Sequence, residues 1–434
     1  MKSRNLYIFL LILLFCVTAS GQRSAEPPTR DCGPRSPESP VRPAFEFPCS
    51  DSRFFSDTGF TAKQHFPATA DLNVDRFIGD PALLLENKFL EPVAKLKMAM
   101  KGECLGQLTM VKFNNALLRQ APCPGKEWKV YEFDVPASLI DFPRKGGGEN
   151  KNEIKVDPIA GSVTVDWMTL EIKVARPVLL IHGLSGGSGS WARWTGKDGF
   201  LQKTGLPSYQ IDLGLADTIE ANAAEIIPKI EELKKTWKVD KITLIGHSKG
   251  GLDARLAAEN NRSVSQVIMI GTPNGGTPLA DLANEIINEI IKDIPFAEIA
   301  KWWAPGVEQL SVKNVTEFNK AHKANPQVNY VSIAGDYTPN CKSDENKPNV
   351  PCEINLILSK LIGKGDLWVP VDSVYALPYA NNLPPLTSKS NLACQYVVSF
   401  VEEDASCDAV HINLLRSESL FNQLKDIIGK PVSE

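Results

Sequence analysis

Lys241 to Gly251 reads KITLIGHSKGG. An apolar run containing Ile242, Leu244 and Ile245 leads directly into Gly246-His247-Ser248-Lys249-Gly250, and LDARLAAENN follows with a helical pattern. A buried strand, a tight turn and a helix, with serine at the turn, is the context in which a hydroxyl can serve as a nucleophile. The turn is strained, and small residues two places before and two places after the serine let strand and helix pass closely. It also aims the backbone N–H of Lys249, at the helix N-terminus, where an oxyanion can be held. A second Gly-x-Ser-x-Gly, Gly183-Leu184-Ser185-Gly186-Gly187, follows the strand-like VLLIH but continues into GSGSW, which has no helical pattern. Context therefore assigns the nucleophile to Ser248 rather than Ser185.

Acyl transfer also needs a base, an acid that orients it, and oxyanion donors. The chain has 5 histidines, few enough for elimination. His65 precedes the region of the serine turn, His182 ends a strand, His247 lies inside the turn, and His322 sits in the polar stretch NKAHKANP. His411, in DAVHINLL, remains, and it comes last, as the base does in the hydrolase order Ser, Asp, His. The acid should lie between Ser248 and His411 on a loop after a strand. GKGDLWVPVDSV offers Asp366 and Asp372, and Asp336 follows VNYVSIAG. Asp366 is preferred, because it follows a Gly-rich turn and precedes an apolar run; the usual job of Asp near Gly is to shape such turns. His182-Gly183-Leu184 offers the second oxyanion donor. Gly183 lets the backbone turn sharply, and the N–H of Leu184 joins that of Lys249. The run GLSGGSGS lacks the Gly-Lys-Ser/Thr ending of a phosphate-binding loop.

The surrounding elements follow from pattern. PVLLIH is a continuous apolar strand, as in a sheet buried on both faces. QIDLG, the helix ANAAEIIPKIEELKKTW, strand KITLI, helix LDARLAAEN and strand SQVIMIG come next, with VNYVSIAG and QYVVSFV as later strands. The alternation predicts an α/β domain over 171–434, a mostly parallel sheet with helices on both faces. Before it, 75–170 carries the short β-rich runs LKMAMKG, QLTMVKFNN, WKVYEFDV, NEIKV and GSVTVDW, which predict a small β-sandwich. Residues 22–74 are Pro-rich and polar, the composition of a linker or arm. Residues 1–21 have a basic start, a short apolar core and Ala19-Ser20-Gly21, the pattern of a secretory signal too short to span a membrane comfortably.

With 47 basic and 51 acidic residues, nothing favours nucleic-acid binding. Setting aside Cys16 in the signal, the cysteines fall in close pairs: Cys32/Cys49, Cys104/Cys123, Cys341/Cys352 and Cys394/Cys407. Disulfides fit an extracellular location after signal cleavage, with no transmembrane segment remaining. Asn261 and Asn314 head glycosylation sequons that matter in a eukaryotic host.

RPVLLIHGLSG, VDKITLIGHSKGGLDAR, IGTPNGGTPLAD, GDLWVPVDS and the His411 loop, spanning about 176 to 415, resemble the secreted triacylglycerol lipases and esterases of the α/β-hydrolase superfamily, chiefly the bacterial type. The resemblance implies the α/β-hydrolase fold, Ser248 as nucleophile, Asp366 as acid, His411 as base, and Leu184 with Lys249 as oxyanion donors. It also implies a lid, which Leu282 to Trp303 would supply with its apolar stripe Leu282, Ile286, Ile290 and Ile294. Many bacterial members carry, two residues after the base, an Asp that serves a structural calcium; here Asn413 stands there, and a neutral amide is a weaker ligand. No cofactor is expected. The expected partner is a lipid or other ester substrate at an interface, and the expected activity is carboxylic ester hydrolysis. Phospholipase, polyester depolymerase and acyltransferase chemistry are rivals on the same fold, and a catalytically silent binding protein is the rival of another class. Lys249, beside the nucleophile, is a candidate for tuning substrate preference.

Sequential pairing predicts a Cys394–Cys407 disulfide that holds the His411 loop, since Cys407 lies four residues before His411. Such a loop closure stabilises a fold by roughly 3 kcal/mol. A base displaced by about 1 Å can cost on the order of 10²-fold in rate. Replacing both cysteines by Ser is expected to lower kcat more than it raises KM. Peptide mapping of the unreduced protein checks the pairing, and a free thiol at either position contradicts it.

Overall fold

The structure is a computed structural model, and it describes residues 53–56, 60–65, 67–72, 79–104, 108–143, 150–184, 186–214, 217–237, 239–282, 305–340, 350–390, 395–396, 399–400 and 407–431. The expected signal segment, Ser185, Cys394 and the expected lid beyond Leu282 lie outside the described residues.

Among the described residues, nine strands build the N-terminal part: β1 (Arg53–Ser56), β2 (Phe60–Lys63), β3 (Ala68–Leu72), β4 (Val93–Glu103), β5 (Leu108–Phe113), β6 (Ala116–Pro122), β7 (Lys129–Pro136), β8 (Asn152–Pro158) and β9 (Ser162–Glu171). They form two antiparallel sheets, β1-β9-β4-β7 with β2 also on β9, and β3-β8-β5-β6. Alternation sets the inner faces. In β8 every second residue is buried, including Ile154 and Val156, while Glu153, Lys155 and Asp157 between them are partly exposed. The inner faces meet in one apolar cluster, with Met98, Phe133 and Val165 from one sheet and Leu72, Phe113 and Val156 from the other. Cys104 and Cys123 are disulfide-bonded, joining the end of β4 to the turn after β6. Among the described residues the first strand starts at Arg53, so the expected arm contributes three strands. Its Pro-rich composition conceals them, because each is only four or five residues long.

The C-terminal part is a parallel sheet of six strands in the order β11-β10-β12-β13-β14-β16. These are β10 (Val178–Ile181), β11 (Ser208–Ile211), β12 (Ile242–His247), β13 (Val264–Ile270), β14 (Asn329–Ile333) and, after β15 (Gly335–Pro339), β16 (Asn381–Asn382). β15 pairs separately with β17 (Leu386–Ser390). β10 and β12 are buried along their whole length, as strands covered on both faces must be. The Ile219–Trp237 helix buries Ile226, Ile230 and Leu233 beside the sheet, and the Lys249–Ala258 helix follows the serine turn directly. This is the α/β-hydrolase arrangement.

QYVVSFV does not join the sheet as expected. Gln395–Tyr396 and Ser399–Phe400 pair with each other in antiparallel fashion. The place beside β14 is already taken by β16.

The two parts share one continuous core. Phe89 and Leu90, just before β4, pack with Phe421 and Ile428 of the Glu418–Ile428 helix in that cluster, and a Cβ on Gly429 would run into the Phe89 ring. Trp194 stands edge-on to Trp191 and Phe421, at centroid distances of 5.2 and 5.4 Å. Its indole N–H donates to Leu415 O at 2.8 Å, tying this aromatic cluster to the chain just after His411.

Candidate active site

Ser248 is the sharp corner between β12 and the Lys249–Ala258 helix, with φ 55° and ψ −130°. A non-glycine residue in that region is strained by about 1–3 kcal/mol, and neighbouring packing must hold it there. Its N–H donates to Ile270 O at 2.9 Å, and its carbonyl accepts from Gly251 N at 3.0 Å. A Cβ on Gly246 would strike the Gly250–Gly251 backbone, and one on Gly250 would strike the carbonyls of Ile181 and His182. These glycines let the helix start hard against the ends of β10 and β12.

His411 and Asp366 meet in the interior. His411 Nδ1 lies 2.7 Å from Asp366 Oδ2, and both side chains are almost wholly buried. The other carboxylate oxygen accepts the N–H groups of Trp368 at 3.0 Å and Val369 at 2.8 Å. All this organises a turn in which Leu367 takes a positive φ of 76°. The backbone N–H of His411 donates to Asp366 O at 3.0 Å, so the two residues are joined by both backbone and side chain. Asp372 is exposed in the first turn of the Val371–Val374 helix. Asp336 lies in β15, 3.6 Å from Lys364 Nζ. Neither is hydrogen-bonded to His411. His322 pairs instead with Glu259, at 2.9 Å.

Ser248 and His411 line the same cavity, of about 750 Å³. Leu184, Leu279, Ala280, Val307, Leu310 and Trp368 supply most of its apolar wall. The Trp368 ring lies nearly parallel to the His411 imidazole, 14° and 5.8 Å away. Gly183 is pressed against Ser248, since a Cβ there would lie 2.7 Å from Ser248 Cβ. Among the described residues, no backbone carbonyl accepts the N–H of Leu184 or of Lys249.

Several supporting residues were not legible as such in the sequence. His247 is buried, its Nε2–H donates to the carbonyl of His411 at 2.9 Å, and its ring lies 4.7 Å from the His411 ring. Burial, with the His411 ring beside it, lowers its pKa well below the ordinary histidine value. Gly271 (φ 56°) and Gly335 make room for the Asp366–His411 pair: a Cβ on Gly271 would sit 3.1 Å from Asp366 Oδ2, and one on Gly335 2.9 Å from Asp366 Cβ. Their signal is a glycine directly after β13 and another two residues after the end of β14.

The Lys249 side chain does not reach the cavity as a substrate-tuning residue would. It is buried within the fold, with Nζ 2.8 Å from Asp253 Oδ1, and Asn222 Nδ2 donates to Asp253 Oδ2 at 2.8 Å. The i,i+4 spacing on one helix makes the pair, and burial turns the lysine away from solvent. Burial pushes the Asp253 carboxyl up to about 6, against the pull of Lys249 and Asn222.

Residues 150–306 match a family described as a domain of unknown function, DUF7379. A triacylglycerol lipase of Burkholderia plantarii is 29% identical over 150 residues, 31% of this chain and 42% of that protein. The chain is similar to triacylglycerol lipases. One from Vibrio cholerae is 23% identical over 269 residues, covering 58% of this chain and 80% of the relative. The chain spans about two fifths of the length of the first curated relatives it matches. Among solved structures, the mature lipase BlEst2 of Bacillus licheniformis aligns with a TM-score of 0.42 and 22% identity, over 58% of this chain and 92% of that one.

Removing one partner of a buried pair leaves an uncompensated charge and costs about 3–5 kcal/mol, whereas removing both is often close to neutral. Lys249→Met is therefore expected to destabilise the fold by that amount in urea unfolding, and Lys249→Met with Asp253→Asn to regain most of it. Relative rates on short and long esters should not change in the double variant. A shifted chain-length preference would return the Lys249 side chain to the substrate.

Proposed function

We propose that this chain is a serine hydrolase of carboxylic esters, acting through an acyl-enzyme on Ser248 and most suited to esters of apolar acids. The observation that carries the reading is the buried His411–Asp366 pair, whose His411 lines one apolar-walled cavity together with Ser248. In this reading Ser248 Oγ bonds to the ester carbonyl carbon, and its proton passes to His411 Nε2. Asp366 keeps the imidazole in the required tautomer and stabilises the imidazolium that forms. The carbonyl oxygen becomes an oxyanion facing the N–H groups of Leu184 and Lys249, each such donor contributing about 3–4 kcal/mol to the transition state. The C–O bond to the alcohol breaks, and the leaving oxygen takes the proton from His411. Water then repeats the sequence on the acyl-enzyme, yielding the acid and free Ser248.

The similarity to triacylglycerol lipases supports a lipid ester as substrate. The cavity wall of leucine, valine and tryptophan suits an acyl chain, because transferring apolar surface out of water is favourable at about 25 cal/mol per Å². Secretion is part of the proposal. The Cys104–Cys123 disulfide and the disulfide-bonded Cys407 support an oxidising compartment. No helix of the described residues is long and apolar enough to cross a membrane.

The test is hydrolysis of a panel of p-nitrophenyl esters by wild type and three variants, with circular dichroism as the check on folding. Ser248→Ala is expected to lose at least about 10³-fold in kcat, and Asp366→Asn on the order of 10⁴-fold. Asp372→Asn, altering an exposed helix-end residue, is expected to stay close to wild type. Comparable turnover by a folded Ser248→Ala, or a greater loss in Asp372→Asn than in Asp366→Asn, contradicts the assignment.

A further inference from the structure

We infer that His182 is a positioning residue, whose Nδ1–H holds the Gly183–Leu184 peptide so that the Leu184 N–H faces the oxyanion formed at Ser248. The inference rests on the serine-hydrolase reading above and adds a residue that makes no contact with substrate. His182 immediately follows β10 and is 2% exposed. Its Nδ1 lies 2.9 Å from Gly183 O, and its Nε2 lies 2.9 Å from Leu213 N. A carbonyl oxygen only accepts, and a backbone N–H only donates. Both contacts are satisfied by one arrangement: the proton on Nδ1 and the lone pair on Nε2.

The bonded carbonyl belongs to the same peptide unit as the Leu184 N–H. The chain has no cis peptide bond among its described residues, and in a planar trans peptide C=O and N–H point in opposite directions. Fixing Gly183 O therefore fixes where the Leu184 N–H points. Gly186 N–H donates to the same oxygen at 3.0 Å, so two donors hold it. Translation is blocked as well, because Gly183 already packs against Ser248 and the carbonyl of His247. The freedom left is rotation of the peptide plane, which Gly allows more readily than any other residue. The histidine clamp removes that freedom before substrate arrives, and preorganisation of this kind is what makes an oxyanion donor effective.

The imidazole is itself held at its far side, by Leu213 two residues beyond β11. Burial lowers its pKa, against a smaller upward pull from the Gly183 carbonyl and Asp212, and this keeps the ring neutral. A protonated ring would direct a second N–H at Leu213 N–H.

Two substitutions separate positioning from packing. In His182→Asn the side-chain amide NH₂ can take the place of Nδ1–H and donate to Gly183 O. In His182→Leu the volume is roughly kept and the donor is lost. With p-nitrophenyl butyrate as substrate, His182→Leu is expected to lower kcat by about 10²-fold, the scale of a lost oxyanion donor, with KM changed less than about threefold. Affinity for a trifluoromethyl ketone, which forms an oxyanion adduct on the serine, should fall in parallel with kcat. His182→Asn should recover kcat to within about tenfold of wild type. A kcat within threefold of wild type in His182→Leu, or an equal loss in both variants, would overturn the inference. Nitrogen NMR of the wild-type protein labelled with ¹⁵N-histidine decides the point even where a variant fails to fold: His182 must carry its proton on Nδ1, and an Nε2–H tautomer would overturn it. A wild-type protein that neither hydrolyses the ester nor reacts with a fluorophosphonate would instead remove the underlying reading, and the inference with it.

Discussion

The backbone of Ser248 sits at φ 55°, ψ −130°, and the geometry around it depends on that corner being held. The strain is offset by packing that only glycine permits. Gly246 lets the Lys249–Ala258 helix cross the end of β12, and Gly250 lets it touch the carbonyls that end β10. Because the corner is tight, the Lys249–Ala258 helix starts at the residue directly after Ser248. Because β10 lies beside β12 in the sheet, the His182-Gly183-Leu184 turn arrives at the same place. A larger residue at Gly183 would push the two turns apart.

Around that corner the molecule uses buried polar groups as fixed spacers. Asp366 is bound by three N–H donors, two from its own turn and one from the His411 ring. His411 is held by its backbone N–H to Asp366 O, and by its carbonyl to His247. Burial lowers the pKa of both His182 and His247, and each uses a ring N–H to hold a carbonyl. Unpaired, such groups would each cost about 1–3 kcal/mol, so the network holds together or loosens as a unit. The aromatic cluster of Trp194 and Phe421, with Phe89 nearby in the same core, extends this rigidity to the β-sandwich, which shares its core with the domain that carries the cavity.

Much of this was legible in the chain, and the reasons differ by residue. Ser248 could be singled out because a local pattern, strand then Gly-x-Ser-x-Gly then helix, carries its own geometry. His411 followed from the scarcity of histidines and from chain order, and the structure brings it to Asp366 rather than to Asp372 or Asp336. The parallel sheet was readable from apolar runs such as PVLLIH. The strands of the Pro-rich arm were not, because four or five residues carry too little periodicity. QYVVSFV misled because β propensity says nothing about which sheet edge is vacant. The burial of Lys249 against Asp253, and the tautomers of His182 and His247, depend on partners such as Leu213 and the His411 carbonyl. Local pattern cannot reach those partners.

Acyl transfer through Ser248 Oγ leaves a covalent acyl-enzyme, which mass spectrometry detects in the protein quenched with acid during turnover of a slowly deacylating p-nitrophenyl ester. Trypsin should release Ile242–Lys249 as one peptide, carrying Ser248 as its only serine. One acyl mass increment is expected on that peptide, lost on further incubation as substrate runs out. An increment on the peptide containing Ser185, or steady hydrolysis with Ser248 never modified, would contradict it.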